Sequence, residues 1–399
     1  MNHLKRGGGS VCYCSNVLPL DAGGSVSERF AETARLFREV RGLLGVSEGT
    51  PFPLGLWIDA GTAEKLSTDS AELDALRGLL EEDGFVVATM NAFPYGRFHG
   101  TAVKTDVYRP DWTTPERLEH TIRCAEIASR LPRPEGVVFP ISTLPGGYRS
   151  AFGSGLAEAE LEIASNILKA SEKLEDISSS TGADIVLSVE MEPDCLWETP
   201  AEFADFHERF ISTRSTGNRV GVCYDTCHQE LVEGAPGSGL KLLGSRGIRV
   251  SKLQVSAALS ATFGRGFDIS AAHSALAGFA ENVYLHQTRV FRADGTLAAS
   301  FPDIPRESDF LVAASTAGAG GGVVSHFHAP LYLDILASGL RTAKVEAEHA
   351  LRAVSSGILP EPCVEVETYT YSVLPEGVAV DSLAVSIARE LEWTKERLR

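Results

Sequence analysis

No stretch of this 399-residue chain is apolar for the roughly 20 residues that a bilayer-spanning helix requires. Basic residues are scarce too: 36 stand against 53 acidic ones, a formal charge of -17. That balance argues against a nucleic-acid partner, whose phosphates are held largely by Lys and Arg. It still permits a small anionic substrate held by one or two local cations. Cysteine is sparse as well, at Cys12, Cys14, Cys124, Cys195, Cys223, Cys227 and Cys363. The number is odd, and two full pairs at zinc-finger spacing are absent. The thiols therefore read as reduced, with Cys12, Cys14 and Cys223 as small buried core residues. The basic start MNHLKRGGGS lacks the clean apolar core of a secretory signal behind it, so a cytoplasmic location is expected. No G-x-G-x-x-G turn follows the first strand-like run, which counts against a dinucleotide fold, and nothing suggests an NAD, flavin or PLP site.

What the chain does have is alternation. The apolar patterning predicts strands at 11–17, 54–59, 85–93, 136–143, 183–193, 218–228, 248–259 and 362–371. Amphipathic helices are predicted at 25–45, 70–84, 114–131, 156–182 and 199–213, with Pro115 in a first turn and Gly84 as a C-cap. Such alternation gives parallel strands with right-handed crossovers. Eight units suggest a single-domain (β/α)8 TIM barrel over 1–399, with an open doubly wound sheet as the alternative.

The regularity breaks between 260 and 345, read as an insertion within the barrel. Residues 281–304 read as a β-hairpin turning at Ala293-Asp294-Gly295-Thr296. STAGAGGG (315–322) reads as a flexible linker and VVSHFHAPLY (323–332) as one more strand. The insertion follows the seventh barrel strand; alternatively VVSHFH is itself that strand and the insertion precedes it.

The site of a barrel lies at the C-terminal ends of its strands. There stand Asn16, Asp59, Asn91, Glu190 with Glu192, Asp225, Gln254, and Glu365 with Glu367. Ionised carboxylates converging on one mouth need a cation or shared protons. A divalent metal ion (Mn, Mg, Co, Fe or Zn) would explain them together. His228, three residues after Asp225, could bind that metal, a second one, or substrate; Asp225 could otherwise simply cap the next helix. His326 and His328 in SHFHAP share a strand face. They could complete the site, form a second one, shuttle a proton or be a structural pair. His286 in YLHQ is a weaker candidate. NAFPYGRFHG follows the third strand. Its Phe93, Tyr95 and Phe98 suit an aromatic lid, with Arg97 and His99 meeting a polar group. The substrate-binding candidates are Asn91, Phe93, Tyr95, His99 and Glu192.

This constellation resembles the xylose isomerase-like superfamily of sugar isomerases and epimerases. There a metal is held by Glu on strand five, Asp on six, His or a similar residue on seven and Glu on eight. Asp225-Thr226-Cys227-His228 is similar to the D-x-x-H of the ketose 3-epimerase branch. The resemblance implies Glu190, Asp225 and Glu367 as ligands. It departs at Gln254, where a His is common and an amide oxygen would coordinate more weakly. YCSNV, NAFPYGRFHG, VKTDVYRPDW, YDTCH, YLHQ, HFHAP and EVETYTYSVLP occur in this order. Together they resemble the EboE-type metabolite traffic proteins, a branch associated with clusters that modify and export secondary-metabolite precursors.

The expected function is a metal-dependent isomerase or epimerase-like activity on a sugar, polyol or hydroxyl-rich natural-product precursor. Glu190 and Glu367 would move protons, Asp225 would anchor the metal and His228 would position substrate or ligate. The alternatives are a hydrolase or lyase with two or more zinc ions, and a binding protein without turnover. A homodimer and partners from the same biosynthetic cluster are further expectations.

Overall fold

The computed structural model describes residues 25–96, 104–214, 218–232, 234–264, 268–336, 339–368, 370–376, 378 and 381–399, with the backbone of 3–6, 9–15 and 217. A hairpin of β1 (His3–Arg6) and β2 (Gly9–Ser15) opens the chain. There follow β3 (Phe52–Trp57), β4 (Phe85–Asn91), β5 (Phe139–Thr143), β6 (Ile185–Glu190), β7 (Val220–Asp225) and β8 (Val250–Val255). β9 (Ala258–Thr262), β10 (Thr288–Phe291), β11 (Leu297–Phe301), β12 (Gly322–Ser325) and β13 (Arg341–Ala343) come next, and β14 (Cys363–Val366) is last.

Seven parallel pairings join β2, β14, β8, β7, β6, β5, β4 and β3 in that order. The end strands β2 and β3 come back alongside each other, so the sheet curls into a nearly closed barrel. The α/β TIM barrel expected from the alternation is therefore present. Strands β3, β5, β6, β7, β8 and β14 are buried along their whole length. Helices cover the outer face and side chains fill the inner one, so these strands show no polar stripe.

The predicted helices occur as Val26–Leu43, Ser70–Glu82, Pro115–Arg130, Leu156–Thr181 and Pro200–Phe210. Others were not predicted, among them Ala60–Thr68, Ile269–Ala277, Glu307–Ala317, Val345–Ser355 and Leu383–Leu398. Ala60–Thr68 follows β3 almost directly, and Asp59 is its cap, accepting from Thr62 N at 2.7 Å. Asp59 ends its strand region as predicted, but in a capping role.

The late region differs from expectation in three ways. The predicted strand 248–259 is two strands: β8 stays in the barrel, while β9 leaves it for a five-stranded antiparallel sheet ordered β11-β10-β12-β9-β13. VVSHFH is not the seventh barrel strand, because β12 ends at Ser325 and lies between β10 and β9. The Gly-rich run is not a flexible linker. Helix Glu307–Ala317 takes up its first part, and its glycines then make close sheet contacts. A Cβ at Gly321 would stand 2.5 Å from Phe291 O, and one at Gly322 2.7 Å from Ala261 O. The β10–β11 hairpin turns where predicted, with Gly295 at φ +83° and Arg292 N bonded to Thr296 O.

The antiparallel sheet has its own small core, including Leu259, Phe263, Val290, Phe310 and Phe327. Among the described residues, no helix is long and apolar enough to cross a membrane.

Candidate metal centre

Three barrel strands deliver Glu190, Asp225 and Glu367 to one point, with facing carboxylate oxygens within 4.8 Å of one another. All three are buried. The two oxygens of Asp225 have different surroundings. Oδ1 accepts from His228 N at 3.1 Å, capping helix Thr226–Glu230, and from Ser256 Oγ at 2.7 Å. Oδ2 accepts no hydrogen bond among the described residues, and neither does Glu190 Oε2. Capping the helix thus leaves one oxygen of Asp225 for the cluster. Asn91 Nδ2 donates to Glu367 Oε1 at 3.3 Å, while Asn91 Oδ1 accepts from Phe93 N at 2.8 Å, which fixes the amide.

Burial, and then the neighbouring carboxylates, hold Glu190 and Glu367 well above the usual carboxylate range. Burial works against ionised Asp225 too, but His228, His328 and the Ser256 hydrogen bond outweigh it and lower its pKa. Without a cation this group keeps protons on Glu190 and Glu367 and charge on Asp225.

A nitrogen-rich lobe adjoins it. His228 Nδ1 lies 3.0 Å from Met191 O and 3.5 Å from Glu190 Oε1. His328 Nδ1 lies 2.7 Å from Glu367 O, and His326 Nδ1 2.7 Å from Gln287 Oε1. Each partner is an acceptor, so each imidazole donates from Nδ1, and a neutral ring then has its lone pair on Nε2. Burial lowers the His326 pKa well below 6.5 and the His328 pKa to about 4, which keeps both rings neutral.

His228 Nε2 and His326 Nε2 face each other at 3.3 Å, within hydrogen-bond distance. Two nitrogens on one tetrahedral zinc, each roughly 2.0–2.1 Å away, would sit about 3.3–3.4 Å apart. Glu192 stands within 4.8 Å of both imidazoles, and its Oε2 accepts no hydrogen bond among the described residues. Burial lifts the Glu192 pKa to about 7. His328 Nε2 lies 3.9 Å from Asp225 Oδ2, where the two lobes meet. The donor set fits a divalent cation in either lobe: oxygens from Glu190, Asp225 and Glu367, or imidazoles with a carboxylate.

Not every candidate joins this centre. Gln254 Oε1 accepts from Cys223 Sγ at 2.9 Å, so its amide oxygen is already engaged. Glu365 turns to Lys252, 2.5 Å away and fully buried. Burial works against that ammonium, but Glu365 outweighs it and raises the lysine pKa. Lys252 also donates to Ser142 Oγ at 2.9 Å. Phe93 packs on Tyr108, with ring centroids 5.8 Å apart, whereas the Tyr95 ring lies against His120 and Arg117. His286 has both ring nitrogens engaged, by His326 O at 2.9 Å and Glu281 Oε1 at 3.2 Å. Asn16, Arg97, Phe98, His99 and the side chains of Cys12 and Cys14 lie outside the described residues. Cys223 is buried, as expected of a core thiol.

Sequence reasoning missed Lys252, Tyr108, Ser256 and Gln287. Lys252 had a signal, a lysine inside an apolar strand two residues before Gln254, which requires a buried partner. Tyr108 and Gln287 lie in the blocks VKTDVYRPDW and YLHQ but had no site signal of their own there, and Ser256 lies between β8 and β9.

No protein of curated function matches the chain. Among solved structures, a D-tagatose 3-epimerase-like protein is similar over 97% of both chains, at 13% identity and TM-score 0.50. A xylose isomerase-like TIM barrel protein from Mycobacterium smegmatis, in complex with magnesium, covers 97% of this chain and 96% of its own at 10% identity and TM-score 0.47. A probable 3-DHS dehydratase from Bacillus anthracis covers 96% and 97% at 12% identity and TM-score 0.45. At such identities the likeness concerns the fold. The family model for the xylose isomerase-like TIM barrel matches residues 56–277, more than half of the chain, and with the parallel barrel this places the protein in the xylose isomerase-like TIM barrel family.

Proposed function

We propose that this chain is a metal-dependent isomerase or epimerase-like enzyme acting on a sugar, a polyol or another hydroxyl-rich precursor. The observation that carries the reading is the buried cluster of Glu190, Asp225 and Glu367, with unbonded oxygens on Glu190 and Asp225 beside imidazoles whose Nδ1 atoms are engaged. Glu190, Asp225 and Glu367 would hold a divalent cation, with His328 next to them. A cation there would polarise neighbouring substrate oxygens and acidify the C–H or O–H between them.

The protein's own groups supply the rest. Glu190 and Glu367 come from strands separated by β7 and β8, so they approach the mouth from different sides. Their carboxylate oxygens converge on one point, which suits groups that take and return a proton at a shared substrate. Asn91 holds Glu367 in place, and Phe93 beside it offers an apolar wall to the carbon face of a substrate. The order of the seven sequence blocks supports a place among the EboE-type metabolite traffic proteins, with a secondary-metabolite precursor as substrate.

A second reading, a hydrolase or lyase with two cations, is favoured by the His228–His326 contact at 3.3 Å, because two nitrogens on one zinc-like cation would stand about that far apart. Metal analysis of protein purified without chelator or nickel resin tests both readings. About one equivalent of Mn, Mg, Co or Fe, lost in Glu367→Gln, supports the first. Two or more equivalents of zinc support the second. An absence of metal even after incubation with divalent ions would overturn both.

A further inference from the structure

Gln287 is fully buried and would not itself hold a cation, yet it touches both His326 and Tyr108, the support of Glu192. It lies just before β10, outside the parallel barrel. Its Nε2 donates to Pro193 O at 3.3 Å and to Tyr108 Oη at 3.2 Å. A proline carbonyl can only accept, so the orientation of the amide is fixed by chemistry. Oε1 therefore faces His326 Nδ1, at 2.7 Å. Tyr108 in turn donates to Glu192 Oε1 at 2.8 Å. A chain of hydrogen bonds thus runs from Glu192 through Tyr108 and Gln287 to His326. Its two ends, Glu192 and His326, meet again beside His228.

We propose that Gln287 is a positioning residue: its amide reads Pro193 O and Tyr108 on one side and on the other forces His326 to present an unprotonated Nε2 to the cation lobe of His228 and Glu192. This rests on the reading of His326 as a ligand. The other two imidazoles are held by backbone carbonyls, which no substitution removes. Only His326 depends on a side chain for its tautomer. The barrel therefore gains a third imidazole ligand only while the antiparallel sheet presents both Gln287 and His326; His326 N is itself bonded to Gln287 O at 2.8 Å.

The test uses the full chain, metal-free and labelled with 15N at histidine, in wild type, Gln287→Leu and Gln287→Glu. NMR reads the tautomer of His326, assigned through the peak lost in His326→Ala. The expected result is Nδ1–H in wild type and Gln287→Glu, which keeps an acceptor, and loss of that preference in Gln287→Leu. A titration with Co²⁺ then follows. Gln287→Leu should weaken the nitrogen-lobe site about 10–100-fold, as loss of an outer-shell partner does. It should have no further effect in a His326→Ala background. An Nε2–H tautomer in wild type, or an unchanged tautomer in Gln287→Leu, overturns the proposal whatever the metal result. A correct tautomer in a wild type that binds no Co²⁺ instead sinks the metal reading on which the proposal rests. Gln287→Glu keeps the tautomer arm decisive if Gln287→Leu does not fold: Nε2–H there overturns the proposal as well.

Discussion

Glu190, Asp225 and Glu367 stand at or just past the ends of barrel strands, whereas His326 reaches the same space from the segment after β12, in a different sheet. His228 is intermediate, in the short helix that follows β7. The two lobes are fixed in different ways. A strand end inherits its position from hydrogen-bonded ladders on both sides, so a carboxylate there needs few further supports. An imidazole on a connecting segment has no such ladder, and each one here is tied at Nδ1 to Met191 O, Glu367 O or Gln287. The oxygen lobe thus belongs to the barrel itself, while the nitrogen lobe depends on what is packed over the barrel mouth.

Asp225 belongs to both lobes, so its loss should have the largest effect. Asp225→Asn keeps an oxygen for the helix cap but neutralises the shared group. Metal should leave both lobes, and turnover of a substrate found by screening should drop more than about 100-fold, beyond the range seen for outer-shell changes. Loss of metal from one lobe alone, read by metal analysis, would show that the lobes are independent.

Single-lobe substitutions should separate the two by metal preference. Glu190→Gln should reduce binding of Mn²⁺ or Mg²⁺ most, because these ions favour oxygen donors. His326→Ala should spare them and weaken Zn²⁺ or Co²⁺. Competition titrations with a chromogenic chelator check this, and equal effects of both variants on both classes of ion would dissolve the distinction.

Beneath the oxygen lobe lies the buried Lys252–Glu365 charge pair. Lys252→Met should destabilise the protein by about 3–5 kcal/mol, since it strands Glu365. Adding Glu365→Leu should restore most of that. Denaturant midpoints of the single and double variants give the answer.

The smallest effect concerns the seam between the lobes. Glu390 accepts from Leu331 N at 2.9 Å and Thr368 Oγ1 at 2.8 Å, tying the segment after His328 to the one after Glu367. Burial raises its pKa from 4.5 to about 7. A carboxyl whose folded pKa is raised stabilises fully below its unfolded value and loses that stabilisation as pH rises through the folded one. The Tm of the metal-free protein should therefore fall between about pH 4.5 and 7. Glu390→Gln should remove this component, and an identical slope in the variant would assign it to other groups.

The sequence by itself determined the barrel and the oxygen lobe. Alternating apolar runs and amphipathic stretches are local patterns, and a strand in a parallel barrel places its last polar residue at the mouth whatever surrounds it. Asp225 and Glu190 were legible for that reason, and Glu367, one residue past β14, nearly so. His228, His326 and His328 were visible as candidates, but their roles were not. Tertiary structure alone decided that β9 leaves the barrel after Val255, that Glu365 turns to Lys252, and that Gln254 is engaged by Cys223. It also decided which nitrogen of each imidazole faces the site. A tautomer depends on an acceptor brought from far along the chain by packing: Met191 for His228, Gln287 for His326 and Glu367 for His328. No periodicity in the sequence encodes that meeting.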